Sequence, residues 1–396
     1  MKPFIFSGEV PASKSILNRL LIIQSFAKDL EVYGDSLCDD VVRMRSALRQ
    51  VLDIRGENAN CGAAGTTFRF LALRASRVPG RHVLVGTHQL LARPQSALLE
   101  IMQALGVTAS LMDQGLLIES RGWKKPTKPL RVDRSHSSQF ASAILLNAWN
   151  LDFQLELEFP ASLNAPSEGY FEMTKSLVQA AGMRLMSDGS RTIVPLNSQV
   201  TASSLHAEPD LSSTFSLAAV AVASQGQSHF KTFPRSSLQP DAVFPELLKA
   251  MGIIIDTSHG LFVKGQPNLR PIKWNLQDCP DLFPVLSVLC ALAKGRSVLY
   301  GAPHLAHKES NRIESTAKLL RGLGVQFNLR ADGIEIDGRG TILKNEQEYD
   351  PLHDHRLAMA AAVANASGAR IRILYPSVVD KSFPEFWTIV EQGQRK

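Results

Sequence analysis

Leu98-Leu99-Glu100-Ile101-Met102-Gln103-Ala104-Leu105-Gly106-Val107 reads as an amphipathic helix stopped by a glycine, with a β-prone stretch after it. The same ending recurs in Ser176-Leu177-Val178-Gln179-Ala180-Ala181-Gly182-Met183 and in Leu247-Leu248-Lys249-Ala250-Met251-Gly252-Ile253. It appears a fourth time in Ala317-Lys318-Leu319-Leu320-Arg321-Gly322-Leu323-Gly324-Val325. The four glycines lie 76, 70 and 72 residues apart. A period this long indicates a repeated supersecondary unit rather than a solenoid of short repeats. After Gly106 and Gly324 come partly alternating stretches at 107–111 and 325–329, and Gly115 and Gly333 mark turns into second strands at 116–119 and 334–337. Each unit then holds helices, a glycine stop and a hairpin. Several such units make an α/β or α+β architecture with helices packed on sheets.

The 396 residues suffice for two or three domains, and 44% hydrophobic residues can fill a core. The formal charge of +6 admits nucleic acid or small anions as partners. The second is favoured, because Lys and Arg are scattered singly among Gly, Ser and Thr turns and only 7% of residues are aromatic. Cys38, Cys61, Cys279 and Cys290 form no C-x-x-C and no zinc spacing, so reduced thiols in or near the core of a cytosolic protein are expected. Residues 1–6 lack the apolar stretch of a signal peptide. The apolar run 217–223 reads as a buried helix rather than a membrane span. Domain junctions are expected just before Lys14 and around Glu208-Pro209-Asp210.

Five polar stretches precede apolar helical patterns. The first, Pro11-Ala12-Ser13-Lys14-Ser15, puts Lys14 and Ser15 at a helix N-terminus, with Arg19 one turn along the same face. The others are Gly62-Ala63-Ala64-Gly65-Thr66-Thr67-Phe68-Arg69, Ser135-His136-Ser137-Ser138-Gln139, Ser167-Glu168-Gly169-Tyr170 and Glu208-Pro209-Asp210-Leu211-Ser212-Ser213. Each is either an ordinary helix start or an anion site. Acid–base candidates come later. Asp281 is an N-cap or a proton acceptor ahead of an apolar helix. Glu309 and Arg312, three apart, share a helical face as a surface pair or as part of a site. His355 and Arg356 open another apolar helix, and Lys381 stands near the C-terminus, where a lone lysine ordinarily faces solvent.

In this order the motifs resemble the 5-enolpyruvylshikimate-3-phosphate synthases, a family of enolpyruvyl transferases, over nearly the whole chain. The matching motifs are Lys14-Ser15 with Arg19, Gly65-Thr66, Arg93-Pro94, Ser137-Ser138-Gln139, Ser167 to Tyr170, Asp281, Lys308-Glu309 with Arg312, Asp354-His355-Arg356 and Lys381. The resemblance implies a two-domain inside-out α/β barrel, each domain three βαβαββ repeats. The domains would be 14–208 and 1–13 with 209–396, the active site lying in the cleft between them and the hinges near Ser13-Lys14 and Pro209-Asp210. It implies that shikimate 3-phosphate is held by Lys14, Ser15, Arg19, Ser137, Ser138, Gln139, Ser167, Tyr170, Asp281, His304 and Lys308. Phosphoenolpyruvate would be held by Lys14, Gly65, Arg93, Gln139, Arg312, His355, Arg356 and Lys381.

The implied chemistry is addition–elimination in the shikimate route to chorismate, with no metal and no organic cofactor. Asp281 takes the 5-hydroxyl proton, and Glu309 or Lys14 protonates the methylene carbon. Lys14, Arg312 and Lys381 stabilise the departing phosphate. A cytoplasmic monomer with small-molecule partners, no nucleic acid and no membrane, is the family expectation. Two positions depart from the pattern: Ala63 and His304 each stand where an asparagine is usual. A lost hydrogen bond to a charged group costs roughly 1.5–3 kcal/mol if nothing replaces it. The rival readings are a transferase acting on UDP-N-acetylglucosamine, a non-catalytic or altered-specificity paralogue, and an RNA-end-binding relative. Against them stand the missing loop cysteine in 90–94, the presence of Lys14, Asp281, Glu309, Arg356 and Lys381, and the lack of a basic–aromatic surface.

Overall fold

The computed structural model describes residues 2–53, 58–134, 137–160, 167–188 and 190–395. The chain divides into two compact units, Met1–Pro11 with Glu208–Lys396, and Ala12–Ala207. The crossings fall at Pro11/Ala12 and Ala207/Glu208, slightly ahead of the boundaries read from sequence.

The glycine stops are helix terminators of one kind. Gly106, Gly182, Gly252 and Gly324 all have positive φ. At each, the following residue donates back to the carbonyl five positions earlier: Val107 to Met102 (2.9 Å), Met183 to Val178 (2.9 Å), Ile253 to Leu248 (3.0 Å) and Val325 to Leu320 (3.0 Å). This Schellman pattern satisfies carbonyls that the helix end would leave bare. The helices so ended, Ser96–Ala104, Glu168–Ala180, Phe244–Ala250 and Arg312–Gly322, each keep a solvent face.

The repeat is visible in the sheets. Ala59–Asn60 lies parallel to Gly80–Val85, which runs antiparallel to Gly115–Ser120, itself antiparallel to Thr108–Met112. The same order appears in Leu130–Arg131, Leu155–Glu158, Arg191–Val194 and Met186–Ser187. It appears again from Ile5–Gly8 through Gln227–Phe230, and from Lys273–Asn275 through Lys294–Tyr300. The third sheet of each unit departs from the expected βαβαββ repeat. Among the described residues it is only a parallel pair, Glu31–Tyr33 with Ser204–His206 in one unit and Glu346–Tyr349 with Arg370–Ile373 in the other.

Inside each unit three apolar helices pack on one another. They are Lys14–Gln24, Gly65–Ala75 and Gln139–Asn147 in the unit Ala12–Ala207, and Leu211–Ala223, Phe283–Leu292 and His355–Ala366 in the other. Nearly every residue of these helices is buried, as a helix apolar on all sides requires. Cys38, Cys61, Cys279 and Cys290 are buried free thiols. Among the described residues no helix is long and apolar enough to cross a membrane.

The two cap glycines Gly182 and Gly252 should respond differently to alanine. At Gly252 (φ +86) a Cβ meets nothing nearer than 3.6 Å, so the cost is left-handed strain, about 1–2 kcal/mol. At Gly182 (φ +117) it would lie 2.3 Å from Thr201 Oγ1 and 3.1 Å from the Gln199 carbonyl, so steric overlap adds to that strain. Urea unfolding should find Gly182→Ala clearly the more destabilising. Equal losses would contradict this account.

Candidate active site

The unit Ala12–Ala207 gathers basic and amide groups at the starts of its three inner helices. At none of these starts does the N-cap residue's own side chain accept a helix N–H. Uncapped N–H groups and the positive helix end favour an anion. Lys14, the first residue of its helix, pairs with Asp40 at 2.9 Å. Gly65 opens the second helix, and a Cβ there would lie 3.0 Å from Arg93 Nη1 and 3.7 Å from Gln139 Oε1. Gly65, Arg93 and Gln139 therefore meet. Gln139 donates through Nε2 to Thr66 Oγ1 (3.2 Å) and accepts at Oε1 from Arg69 Nη1 (2.8 Å). Arg69 also donates to the Pro94 carbonyl (3.1 Å) and stacks 4.6 Å from the Phe140 ring centre. It thus fixes both Gln139 and the Arg93-Pro94 turn.

Arg19 is buried and heavily committed to the protein. Its Nε donates to Thr174 Oγ1 (2.7 Å), Nη1 to the Ser15 carbonyl (2.7 Å) and Nη2 to the Tyr170 carbonyl (3.1 Å). Burial pulls its pKa down to about 10. Arg19 thereby ties the helix of Lys14 and Ser15 to the helix that Ser167 precedes. Ser167 is buried with a left-handed backbone (φ 60) and makes no side-chain cap bond, so the plain capping alternative does not hold there. Ser138 is buried, and Ser137 Oγ accepts from the Gln139 amide at 3.2 Å. Ser135 and His136 lie outside the described residues.

The other unit gathers carboxylates around one guanidinium. Arg312 is 1% exposed. It donates from Nη1 to Asp281 (2.8 Å), from Nη2 to Glu309 (3.0 Å) and from Nε and Nη2 to Asp354 (2.7 and 3.3 Å). The expectation of Glu309 and Arg312 on one helical face is corrected. The helix begins at Arg312 behind its N-cap Asn311, so Glu309 precedes it, and the pair is buried rather than superficial. Asp281 sits on the turn Pro280–Leu282 and makes no cap bond, because its carboxylate is turned to Arg312. Burial alone would push its carboxyl up. The charges of Arg312, Lys308 (4.0 Å) and Arg356 (3.5 Å) overcome this and hold it well below the usual carboxylate range.

Asp354 is fully buried and caps the helix of His355 and Arg356, accepting the Arg356 amide at 3.0 Å. Arg356 is buried, and among the described residues its Nε and Nη1 have no hydrogen-bond partner. Burial, then the Lys308 charge, lowers the His304 pKa to about 3, so its ring is neutral near pH 7. Lys381 ends the turn Pro376–Lys381 and is 8% exposed, contrary to a solvent-facing lysine. Asp210 is an N-cap whose Oδ1 accepts the Ser213 amide at 2.8 Å, so the plainer reading of that stretch holds.

Sequence reasoning left Asp40, Arg69, Asp241 and Asp354 out of the site. Asp40 looks like an ordinary acidic first-turn residue, and Asp241, after Gln239-Pro240, looks like a turn residue. Asp354 was visible within Asp354-His355-Arg356, but only its neighbours were read as ligands. Among the described residues no group of three or more His, Cys, Asp or Glu side chains is arranged to hold a metal ion.

Comparison with known proteins identifies the family. Residues 41–390 match the family model for EPSP synthase (3-phosphoshikimate 1-carboxyvinyltransferase). A 3-phosphoshikimate 1-carboxyvinyltransferase from Syntrophobacter fumaroxidans is 30% identical, the match covering 97% of this chain and 96% of the relative. One from Methanothrix thermoacetophila is 31% identical over 92% of this chain and 84% of its own. In fold, the chain is similar to the EPSP synthase of Acinetobacter baumannii, with TM-score 0.76, 22% identity and coverage of 99% and 96%. It is also similar to the enolpyruvyl transferase NikO of Streptomyces tendae, with TM-score 0.68, 15% identity and coverage of 99% and 95%. The repeated sheets, the two sets of inner helices and the family match over most of the chain lead to one conclusion: the chain belongs to the EPSP synthase family.

Proposed function

We propose that the chain transfers the enolpyruvyl group of phosphoenolpyruvate to the 5-hydroxyl of shikimate 3-phosphate. The products are 5-enolpyruvylshikimate 3-phosphate and phosphate, on the shikimate route to chorismate. The observation that carries the reading is Arg356, a buried guanidinium with Nε and Nη1 open, 3.5 Å from the strongly acidic Asp281. Buried donors are almost always satisfied, and charged N–H groups left open suit a carboxylate or phosphate oxygen. An anion held there lies beside a carboxylate suited to proton transfer.

Phosphoenolpyruvate binds Arg356, His355 and Lys381 together with Lys14, Arg93 and Gln139, while Gly65 leaves the space its phosphate needs. Arg312 contributes mainly through charge, since four of its N–H···O bonds already go to carboxylates. Shikimate 3-phosphate binds Lys14, Ser15, Arg19, Ser137, Ser138, Gln139, Ser167 and Tyr170, with Lys308 and His304 on the side of Asp281. His304, neutral, supplies one donor and one acceptor, as the usual asparagine amide would.

In the reaction, Asp281 accepts the proton of the 5-hydroxyl as that oxygen attacks C2 of phosphoenolpyruvate. Glu309 or Lys14 delivers a proton to the methylene carbon, giving a tetrahedral ketal phosphate. Loss of a proton from the new methyl group and departure of phosphate restore the double bond, the charge being stabilised by Lys14, Arg312 and Lys381. A cytoplasmic location and a monomeric state belong to the same reading.

Phosphate release that needs both substrates tests the assignment. Asp281→Asn should lower kcat by about 10²–10⁴-fold, and Lys14→Ala should abolish measurable release, both with unchanged circular dichroism. Release from phosphoenolpyruvate alone, or full activity in Asp281→Asn, would overturn it. Glyphosate should compete with phosphoenolpyruvate. Gly65→Ala should raise both its inhibition constant and the KM for phosphoenolpyruvate, because the methyl group meets Arg93 Nη1 at 3.0 Å. An unchanged inhibition constant would mean that this loop does not face the ligand.

A further inference from the structure

One buried carboxyl stands beside the proposed machinery without a part in it. Asp241, on the turn Pro240–Val243, is 2% exposed. Its turn is strapped to the start of the inner helix Leu211–Ala223. Gln239 Oε1 accepts the Leu211 amide (3.0 Å), Gln239 Nε2 donates to the Pro209 carbonyl (2.7 Å), and Ser212 Oγ donates to Asp241 Oδ2. Asp241 therefore cannot swing out to solvent. Its other oxygen, Oδ1, is buried and has no hydrogen-bond partner among the described residues. Arg356 Nε and Nη1 are in the same condition. A buried acceptor and two buried donors are thus left open on two groups that act on each other electrostatically, an arrangement that buried polar atoms rarely keep without use.

The same charged groups act on both. Asp210 from the helix start, Asp281 from the turn Pro280–Leu282 and Arg356 from the helix His355–Ala366 all act on Asp241. Asp281, Asp210 and Asp241 in turn all act on Arg356. Full ionisation would set three carboxylates against one guanidinium, and Asp281 already shares Arg312 with Glu309 and Asp354. The neighbouring Cys279 thiol is pushed up by burial and by Asp241, and stays neutral.

We propose that Asp241 is a positioning residue: as a neutral acid it leaves the Nε–H and Nη1–H donors of Arg356 open for phosphoenolpyruvate, and on ionising it competes for them. The inference rests on the function proposed above. Burial first, then the Asp281 charge, raise the Asp241 carboxyl to about 7, against the lowering effects of Ser212 and Arg356. The acid is therefore neutral below that pH and charged above it. Two carboxyls of one cluster are driven apart, one strongly acidic and one weakly, so that each keeps a distinct task.

The test is the pH dependence of the KM for phosphoenolpyruvate in the wild type, Asp241→Asn and Ser212→Ala. In the wild type KM should rise above about pH 7, by at most about tenfold per pH unit for one ionisation. Asp241→Asn, permanently neutral, should turn over and lack this rise. Ser212→Ala removes a hydrogen bond that favours the ionised form, so its rise should move to higher pH. The infrared stretch of a protonated buried carboxyl should fade over the same range in the wild type and be missing from Asp241→Asn, independently of turnover.

Identical KM profiles in wild type and Asp241→Asn would overturn the inference while wild-type turnover upheld the reading it rests on. So would loss of activity in Asp241→Asn at every pH, since the charge itself would then be required. Should Asp241→Asn fail to fold, an unshifted profile in Ser212→Ala would overturn it. A wild type that releases no phosphate removes the reading, and this inference with it.

Discussion

The Arg312 guanidinium holds the carboxylates of the candidate site in place. Its four hydrogen bonds reach carboxylates from three separate segments: Asp281 before one inner helix, Asp354 capping another, and Glu309 ahead of Arg312's own helix. A charge this deeply buried stands only when paired and hydrogen-bonded, and removing one partner from such a set typically costs about 3–5 kcal/mol. The arrangement therefore admits little variation. It turns Asp281 away from its helix end, orients Asp354 to cap the helix of Arg356, and keeps Glu309 in the group although no helix carries it.

The two units use one scaffold for opposite electrostatics. Each buries three apolar helices behind sheets of the same strand order. In Ala12–Ala207 the N-cap residues of the three helix starts make no side-chain cap bond, and the starts are furnished with Lys14, Gly65 and Gln139, which favours a bound anion. In the other unit Asp210 and Asp354 cap two of the three starts, and acids crowd the third. The fold supplies equivalent positions, and a few residues at helix starts decide what each does.

That division also explains what the sequence could reveal. The glycine stops, the inner helices and the residues opening them are local signals, written in φ preference and apolar period over a dozen residues. Lys14, Gly65, Gln139, His355 and Arg356 were legible for that reason. The carboxylate cluster was less so, because Arg312 meets Asp281 and Asp354 across 31 and 42 residues of chain. Periodicity put Glu309 on a helix that in fact begins later, since a spacing of three looks helical whether or not the helix has started. Asp40 and Asp241 imitate a first-turn acid and a turn residue, and only their distant neighbours distinguish them. The shortened third sheets escaped for a similar reason: a two-stranded parallel sheet lacks the hairpin that announces the others.

The strong acidity of Asp281 has a consequence for the order of events. A carboxylate held so low by Arg312, Lys308 and Arg356 is a poor base in the empty protein. The proposed substrates are anions, and each one bound to Lys308 or Arg356 withdraws part of the positive field that keeps Asp281 acidic. Exclusion of water penalises the charged carboxylate itself and opposes its ionisation further. As the proposed base, Asp281 thus gains strength only as both substrates arrive. On the proposed assignment, proton abstraction is tied to a filled site, and phosphoenolpyruvate alone is spared attack by water. The same cations that hold the carboxylates in place provide this control, so structure and timing rest on one set of charges.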